Sequence, residues 1–459
     1  MDRNAQSAIH QRQIHIGRKI KATESVEFFN ILTSPQLLET TESLMPKHRE
    51  RLYPPTITLS MFMRQVLEED GSCQKAVDGW AAQRAADDLN PSSIHTGGYC
   101  RARQRLPLDM VSSLARKTGS LLNEKAHAHW LWRGRSVKLV DGTTISMPDT
   151  PQNQASYPQP DSQTAGVGFP LARLVMVICL ATGAALDMAV GPYCGKGSGE
   201  LGLLRGLLDG FFPGEVMLAD ALYCNYFLIA SMMASGVDVL FEQNGARITD
   251  FRRGKQLGPR DHLVRWTKPV ACPVWMTLEK YAQFPDEITV REVKVAHQVL
   301  VTTMTNHRQV SKADLSALYA RRWNVELDLR NLKITTGMDV LSCLTPQMNE
   351  KQLWVHLLAY NLIRLLMAQA ASIAGLDPRD LSFKHTVQLW TEWVSRGLSV
   401  TKDGGRLFIL IAQCRVGKRP GRIEPRMRKR RPKPYPLLKV SRAKARRKIH
   451  LHGHEKKLK

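Results

Sequence analysis

The segment GEVMLADALYCNYFLIASMMASGVDVLFEQN, residues 214–244, decides the fold class of this chain. Its first ten residues have the apolar character of a buried strand, and residues 225–236 have helical character. Residues 237–244 return to strand character. A strand, a helix and a second strand in succession are typical of a sheet that is covered by helices.

Three more strands are predicted upstream. SVKLVDGTTISM (136–147) is rich in β-branched residues and ends before Pro148. Residues 171–180 and 184–193 form two further apolar runs joined by the turn ATG. A helix over 199–212 then leads into the opening segment. Three strands followed by alternating helix and strand predict an α/β fold with a mixed sheet.

The pattern changes on both sides of this region. Residues 1–125 have mostly helical spacing. Between residues 245 and 297 the helical periodicity disappears, and four prolines with short alternating runs predict a β-rich insertion that does not continue the sheet. Residues 298–306 return to strand character. Ser311, with Asp314 three residues later, predicts a capped helix start.

We therefore predict five regions along the chain. They are a helical DNA-binding domain (1–128), the first part of the catalytic core (129–244), the β-rich insertion (245–297), the second part of the core (298–376) and a helical and basic C-terminal region (377–459).

Composition limits the class of protein. The 459 residues include 43% apolar residues, enough for a large core, and the first 20 residues contain no apolar leader segment. The apolar run 353–375 is interrupted by His356, Asn361 and Arg364, so an internal core helix is favoured over a membrane span. Eight cysteines without a CxxC pair argue against a disulfide framework and a zinc site. We expect a cytoplasmic protein with no membrane contact.

Excess positive charge is concentrated in the tail. The chain has a net charge of +24, and residues 415–459 contain 19 Lys/Arg against 2 Asp/Glu, a net of +17. Basic arms bind polyanions through counterion release, so nucleic acid is favoured over a solubility tail or an anionic lipid. The run TGGYCRARQRLP adds Arg101, Arg103 and Arg105, which indicate either a DNA-docking helix or a charged surface helix.

A polar stripe runs along the predicted helix YARRWNVELDLRNLK, residues 319–333. On a helix the stripe spans roughly 80° of arc, next to a separate leucine face, and consists of Tyr319, Arg322, Glu326, Arg330 and Lys333. Taken alone, it is also explained as an exposed face with an Arg322–Glu326 ion pair.

Two aspartates follow apolar strand residues. Asp141 lies in KLVDGTT and Asp220 in VMLADALY, and each is predicted to end its strand. A carboxylate at the carboxyl end of a sheet strand points into the crevice where ligands bind. Both are also explained as turn formers, Asp141 more readily because glycine follows it.

Together with Glu326, these aspartates predict a specific chemistry. Three carboxylates in one cleft repel each other unless a divalent cation neutralises them. Oxygen ligands suit Mg²⁺ or Mn²⁺, and two such ions activate an attacking oxygen and stabilise a leaving oxygen on phosphodiesters. Arg322 and Lys333 would then bind the flanking phosphates.

The spacing Tyr319-x2-Arg322-x3-Glu326-x6-Lys333 matches the Y-R-E-K signature of DDE transposases from bacterial insertion sequences, in the IS-four group. The chain resembles this family over most of its length, including DGTT at Asp141, LADALY at Asp220, TGGYCRARQRLP and RKRRPKPYPLLK. One departure is visible after Asp220, where Ala221 and Leu222 precede Tyr223 in place of the frequent Arg or Gly.

The resemblance implies an RNase H-like catalytic core with catalytic Asp141, Asp220 and Glu326, interrupted by the β-rich insertion. It implies binding to the terminal inverted repeats of an element, cleavage that frees a 3′ hydroxyl, joining to target DNA, and assembly as a homodimer or higher multimer on double-stranded DNA in the nucleoid. Tyr319, Arg322 and Lys333 would bind DNA. Trp266 or Trp275 could stack on a displaced base; an ordinary buried tryptophan is the favoured alternative for either residue.

Two alternatives stay open at this point. One is a metal-dependent nuclease of the same fold without strand transfer, which the helical N-terminus and basic tail disfavour. The other is a DNA-binding remnant without catalysis, which the intact carboxylate trio disfavours.

Overall fold

The computed structural model describes residues 43–44, 52–86, 88–90, 92–195, 197–396, 400–417 and 437–453. Parts of two sequence-based predictions lie outside the described residues. In the predicted helical N-terminal region these parts are residues 1–42 and 45–51. In the predicted basic tail they are residues 418–436 and 454–459.

The described residues form helices and strands in alternation through the centre of the chain. The strands are β1 (Val137–Ser146), β2 (Leu171–Cys179), β3 (Ala185–Pro192), β4 (Val216–Ala219), β5 (Asp238–Glu242), β6 (Lys255–Gly258), β7 (Asp261–Thr267), β8 (Glu287–Val295) and β9 (Gln298–Thr302). The helices are α1 (Pro55–Leu67), α2 (Cys73–Ala86), α3 (Gly97–Arg105), α4 (Leu108–Glu124), α5 (Pro151–Ser156), α6 (Glu200–Leu204), α7 (Tyr226–Ala234), α8 (Leu278–Ala282), α9 (Lys312–Ala320), α10 (Asn324–Arg330), α11 (Pro346–Ala374), α12 (Phe383–Ser395), α13 (Val400–Gln413) and α14 (Arg442–His452).

All of these strands belong to one mixed sheet. Its strand order is β3-β2-β1-β4-β5-β9-β8-β7-β6. The β1–β4 and β4–β5 pairs are parallel, and the other neighbouring pairs are antiparallel. Helix α7 connects the parallel strands β4 and β5, and the connection from β1 to its parallel partner β4 runs through β2, β3 and α6. The hairpins β2–β3 and β8–β9 need only short turns. The predicted mixed α/β fold is confirmed.

The insertion is β-rich, as predicted, but its strands do continue the sheet. Strand β9 pairs with β5 on one side and with β8 on the other, so β8, β7 and β6 extend the sheet beyond the core. The prediction of a separate β unit is therefore wrong. The physical reason is that β5 presents an unpaired edge, and an antiparallel hairpin satisfies its backbone groups.

Helix α11 is the centre of the helical layer. It packs against α1, α4, α12 and α13 and begins with a Thr345 cap. Among the described residues, α11 is the one helix that is long enough and apolar enough to cross a membrane. However, 78% of its most apolar 18-residue stretch is buried inside the protein. The sequence prediction of an internal core helix agrees with this burial.

The helix predicted over 319–333 is divided into pieces. The Ser311–Asp314 capping box at the start of α9 is confirmed. Helix α9 ends at Ala320, a 3₁₀ turn covers Arg321–Trp323, and α10 leads into a π-helical segment over Asn331–Thr335. Within the turn, the Asn324 side chain donates to the Arg321 carbonyl oxygen at 2.7 Å. Such a side-chain bond competes with regular helical hydrogen bonding. The predicted helix over 319–333 is therefore present, but its hydrogen bonding changes from α to 3₁₀, back to α and then to π along its length.

Gly119 sets the distance between α4 and the sheet. A Cβ atom at this position would lie 2.3 Å from the Ala185 carbonyl oxygen and 3.2 Å from the Asn361 amide nitrogen. Asn361 also donates to that carbonyl oxygen and accepts from the Ala185 amide. Glycine therefore permits α4, β3 and α11 to meet around one buried hydrogen-bonded asparagine.

We expect Gly119→Ala to lower the free energy of unfolding by about 1–3 kcal/mol, because the methyl group meets backbone that cannot move away freely. Urea denaturation measures the loss. The matched control is Gly79→Ala on α2, where a Cβ atom meets nothing within 4 Å. That change should stabilise the protein by up to about 1 kcal/mol through helix propensity. Equal effects of the two substitutions would contradict this account of the packing.

Candidate active site

The parallel register of β1 and β4 brings two aspartates together. Leu139 is paired with Leu218, so the same register continued by two residues sets Asp141 beside Asp220. Asp220 directly follows β4, as predicted, and its carboxylate accepts from the Leu222 amide at 2.9 Å. Asp141, however, lies in the middle of β1, because β1 continues to Ser146 in its pairing with β2. The prediction that Asp141 ends its strand is wrong.

Asp141 lies in an environment that disfavours its charge. Its side chain is 17% exposed. The pKa of Asp141 is raised from 3.8 to about 6, chiefly by burial and then by the charges of Asp220 and Glu200. The Gly142 amide, which donates to Asp141 at 2.8 Å, and the Arg322 guanidinium act in the opposite direction. The site therefore contains more negative charge than its protein cations balance.

Arg322 connects the third predicted carboxylate to this pair. Its guanidinium donates to Glu326 Oε1 at 2.9 Å and lies 3.8 Å from Asp141 Oδ2. Arg322 belongs to the 3₁₀ turn and Glu326 to the first turn of α10, and α10 packs against β1. We name the surface formed by Asp141, Asp220, Glu326 and Arg322 the carboxylate cleft.

The carboxylate cleft has the donor chemistry of a divalent-cation site. Its ligands are carboxylate oxygens alone, which suit a hard cation, and a cation would remove the repulsion between Asp141 and Asp220. Within the described part of the chain, no three His, Cys, Asp or Glu side chains are grouped closely enough to hold a metal ion as they stand. Arg322 contacts both Asp141 and Glu326, so a cation shared by these two carboxylates requires the guanidinium to move.

The other two residues of the Y-R-E-K signature border the carboxylate cleft. The Tyr319 hydroxyl donates to Glu242 Oε2 at 3.2 Å, and burial, followed by the charge of Glu242, raises the pKa of Tyr319. The Lys333 ammonium donates to the Thr144 carbonyl oxygen of β1 at 2.8 Å and pairs with Asp339 at 2.8 Å. Lys333, from the π-helical segment, thus contacts the strand that contains Asp141 at a position three residues after it.

Comparison with known proteins identifies the family of this chain. The family model "Transposase DDE domain" matches residues 132–362, about half of the chain, and includes all three carboxylates. Transposase InsG for insertion sequence element IS4, from Escherichia coli (strain K12), is 29% identical over 360 residues, 76% of this chain and 79% of that protein. The chain belongs to the DDE transposase family.

A solved structure also aligns with the transposase. It is the cryo-EM structure of the piggyBac transposase synaptic complex with hairpin DNA, with 10% identity, 86% of each chain covered and a TM-score of 0.41. Family membership makes this chain a DNA transposase, an enzyme that cleaves and transfers DNA strands, and members of the family use divalent metal ions.

A buried ion-pair cluster that the sequence analysis missed holds α10 in place. Asp328, two residues after Glu326, is fully buried and pairs with Arg364 of α11 and, at 2.6 Å, with Arg379. Arg379 also donates to the carbonyl oxygens of Cys179 and Leu180 at the end of β2. Asp328 therefore ties the helix of Glu326 to both α11 and the sheet. The sequence feature that could have indicated this cluster is the position of Asp328, an acidic residue on the leucine face of the predicted helix.

Two predicted DNA-binding residues are structural. Arg103 is 8% exposed, donates to Gln65 and lies 4.6 Å above the Phe62 ring, so this arginine stabilises the helical layer. Trp266 is 4% exposed, and its indole donates to Glu292 at 2.8 Å. Both predictions are corrected, because the helical period of α3 and the alternation along β7 turn these side chains into the core.

The neighbouring candidates remain accessible in the transposase. Arg101 and Arg105, on either side of Arg103, are exposed on α3. Trp275 is 45% exposed, and the Arg205 guanidinium lies 4.0 Å from its ring centroid. Of the two tryptophans considered for base stacking, Trp275 therefore has the accessible ring.

We expect Asp141→Asn to stabilise the metal-free transposase at about pH 7.5, on the order of 2 kcal/mol. The folded-state pKa of Asp141 is raised from 3.8 to about 6, so the folded state loses stability as the pH rises through this interval. The gain from Asn is therefore complete above about pH 6 and absent below about pH 4. Urea denaturation in chelator at both pH values measures it, with exposed Asp161→Asn as control. A gain of equal size at both pH values would contradict the assignment.

Proposed function

We propose that this transposase binds the terminal inverted repeats of an insertion sequence, cleaves DNA at the element ends and joins the freed 3′ hydroxyl to target DNA. The observation that carries the proposal is the carboxylate cleft. Asp141 and Asp220 adjoin through the β1–β4 register, and Arg322 joins Asp141 to Glu326 with contacts of 3.8 Å and 2.9 Å. An element-joining enzyme needs this concentration of carboxylates next to cationic side chains that bind phosphate.

An RNase H-like catalytic core is part of the proposal. Its support is the order β3-β2-β1-β4-β5 within the sheet, with β2 antiparallel to β1 and with β1, β4 and β5 parallel. In open sheets of this kind, ligands bind at the carboxyl ends of the parallel strands. Asp220 follows β4 at that edge, and Asp141 adjoins it. The five regions assigned from the sequence remain our proposal for the domain boundaries.

Asp141, Asp220 and Glu326 would hold Mg²⁺ or Mn²⁺, with two ions as the proposed number. When bound, such ions activate the attacking oxygen and stabilise the leaving oxygen of a phosphodiester. The chain itself contributes Arg322, which neutralises carboxylate charge and can turn toward a phosphate oxygen. The burial of Asp141 also keeps bulk water away from this side of the carboxylate cleft, which strengthens each electrostatic contact.

DNA contacts are proposed around the carboxylate cleft and on two outlying surfaces. Tyr319, Arg322 and Lys333 would bind the terminal phosphates. Arg101 and Arg105 would contact the duplex from α3, and Trp275 would stack on a displaced base in place of Trp266. Helix α14 supports a basic arm, because it contains no buried residue and its cations face solvent: Arg442, Lys444, Arg446, Arg447 and Lys448.

Assembly on DNA is proposed to produce a homodimer or higher multimer, because two element ends must be held for joining. The proposed location is the nucleoid in the cytoplasm, where the DNA substrate is found.

We expect Asp220→Asn to reduce strand cleavage to background while DNA affinity stays within about twofold, because a metal ligand is lost and phosphate contacts are not. The assay combines Mg²⁺ with DNA carrying the element ends and measures 3′ nicks, hairpins and joined products. The matched control is Asp238→Asn, since Asp238 begins β5 at the opposite end of a neighbouring strand and pairs with Arg135.

Cleavage by the Asp220→Asn variant at the native rate would refute the assignment of the active site. Nicks without joined products in the unaltered protein would instead identify a nuclease of the same fold.

We expect Lys333→Ala to weaken binding to element ends and to reduce the slope of log affinity against log salt by about one, the contribution of one phosphate contact. Fluorescence anisotropy over a series of salt concentrations measures both. Lys125→Ala is the control, because Lys125 is an exposed lysine that follows α4. The hydrogen bond from Ser136 to Asn123 places this end of α4 near the start of β1, away from Asp141. An unchanged slope for Lys333→Ala would remove this residue from the DNA interface.

A further inference from the structure

Arg247 is an exposed cation at the sheet edge that contains Asp220. The parallel β4–β5 register pairs Ala219 with Phe241, so the carboxyl end of β5 adjoins Asp220, which follows Ala219. The chain turns after β5, and Arg247 lies in this turn with its side chain 42% exposed. The carboxyl ends of parallel strands share one edge of a sheet, the edge at which ligands bind. Arg247 therefore lies at the same edge as Asp220, although it is outside the Y-R-E-K signature.

The turn that contains Arg247 is held in place from both sides. The Gln243 side chain donates to the Arg247 carbonyl oxygen at 3.1 Å, and the Arg247 amide donates to the Asn244 carbonyl oxygen at 3.0 Å. Burial raises the pKa of the Cys224 thiol to about 12, and the Asn244 amide and the Arg247 charge act in the opposite direction. Cys224 directly follows the 3₁₀ turn that Asp220 begins. The turn after β5 therefore lies against the segment that contains Asp220.

Three buried side chains form a platform under the Arg247 guanidinium. The guanidinium carbon lies 3.8 Å from the centroid of the Trp266 ring, and Nε lies 3.4 Å from Glu292 Oε1. The Trp266 indole donates to the same carboxylate oxygen at 2.8 Å, and His262 Nε2 lies 3.1 Å from Glu292 Oε2. Trp266, Glu292 and His262 are all buried. A rigid aromatic and acidic surface thus fixes the position of a guanidinium that is itself exposed.

The platform leaves hydrogen-bond donors of Arg247 unused. Within the ranges that the structure describes, the Arg247 side chain forms an ion pair with Glu292 on its Nε side and donates no hydrogen bond. Glu292 in turn contacts both Trp266 and His262, so its hydrogen bonding does not depend on Arg247. A guanidinium with free N–H groups binds a phosphate through two parallel hydrogen bonds. Stacking on Trp266 lowers the conformational entropy that such binding costs.

The sheet register gives the separation between this platform and Asp220. Ala219, Phe241, Val301 and Glu292 form one row across β4, β5, β9 and β8. Three strand spacings span roughly 14 Å, and duplex DNA rises about 3.4 Å per base pair. A DNA strand that crosses this edge therefore passes from Asp220 to the platform within a few nucleotides.

We propose that Arg247 binds a backbone phosphate of the element end, a few nucleotides from the position of cleavage, and that Trp266 and Glu292 are positioning residues for its guanidinium. This inference rests on the proposed function, since it concerns DNA bound at the carboxylate cleft. Trp266 acts through Arg247 without touching DNA, which gives a buried tryptophan a part in DNA binding. A phosphate contact fixes the register and orientation of a duplex and reads no bases.

The first test measures binding of the full chain to element-end DNA by fluorescence anisotropy over a series of salt concentrations. We expect Arg247→Ala to weaken binding about tenfold, the effect of one charge-assisted hydrogen-bonded contact. The slope of log affinity against log salt should fall by about one. Arg247→Lys retains the charge but not the planar donors, so it should keep the slope and lose part of the affinity.

Arg265→Ala is the matched control for this series. Arg265 precedes Trp266 on β7, so its side chain lies on the opposite face of the sheet. It is 73% exposed and pairs with Glu287 at 3.1 Å. This variant should retain the native affinity and the native slope.

The second test locates the phosphate. A set of element-end duplexes carries one uncharged methylphosphonate each, at successive positions on either side of the cleavage position. One of these replacements should weaken binding of the native chain about as much as Arg247→Ala does. The same replacement should cost the Arg247→Ala variant nothing further, because both changes remove one contact. Fully additive losses at every position would overturn the inference.

The positioning role of Trp266 is tested in two backgrounds. Trp266→Phe retains an aromatic face and should keep most of the affinity, whereas Trp266→Leu removes that face and should weaken binding. In the Arg247→Ala background, Trp266→Leu should have little further effect. An equal loss in both backgrounds would show a purely structural role and overturn this part of the inference. Melting temperatures verify that each variant is folded.

Lys333→Ala separates this inference from the proposed function. If Arg247→Ala retains the native affinity and slope while Lys333→Ala lowers the slope, the inference about Arg247 is overturned and the proposed function stands. If the native chain neither prefers element ends over an unrelated duplex nor cleaves them with Mg²⁺, the proposed function fails, and the inference fails with it.

Discussion

The structure depends on one electrostatic constraint, the close approach of like charges at the point where β1 and β4 part. The parallel register sets Asp141 beside Asp220, and Glu200 adds a third negative charge. Burial makes the charge of Asp141 more costly than in water. The fold tolerates the arrangement because backbone amides and the Arg322 guanidinium compensate part of it. The negative charge that is not compensated attracts cations. The same charge therefore lowers the stability of the metal-free transposase and favours the binding of a metal ion.

Placement of the third catalytic carboxylate depends on a different interaction. Glu326 lies on α10, a short helix between a 3₁₀ turn and a π-helical segment, so local helix geometry alone would position it poorly. Asp328 compensates through buried pairs with Arg364 and Arg379. Removing one partner of a buried pair leaves an uncompensated charge and commonly costs about 3–5 kcal/mol. The cluster therefore fixes α10 between α11 and the sheet, and irregular helix segments beside a functional site are common in proteins.

Much of the fold was predictable because it follows from local patterns. The apolar runs of β1 to β5, the helix α7 between parallel strands and the Ser311 capping box all result from short-range rules of burial and hydrogen bonding. The misassignments arose where distant residues decide the outcome. Strand β9 pairs with β5, from which the whole insertion separates it in the chain. Arg103 and Trp266 are buried by contacts with other elements, which a basic run or an aromatic residue in a β-rich segment does not reveal.

The sequence by itself determined the mixed α/β class, the basic tail and the carboxylate and cationic residues with the Y-R-E-K spacing, because these are properties of composition and of residue intervals. The tertiary structure alone decided that Asp141 lies within its strand, that it adjoins Asp220 and that Arg322 joins it to Glu326. The reason is physical. Electrostatic energy depends on the distance between charges, and residues 141, 220 and 326 acquire their distances only when the sheet register and the packing of α10 are formed.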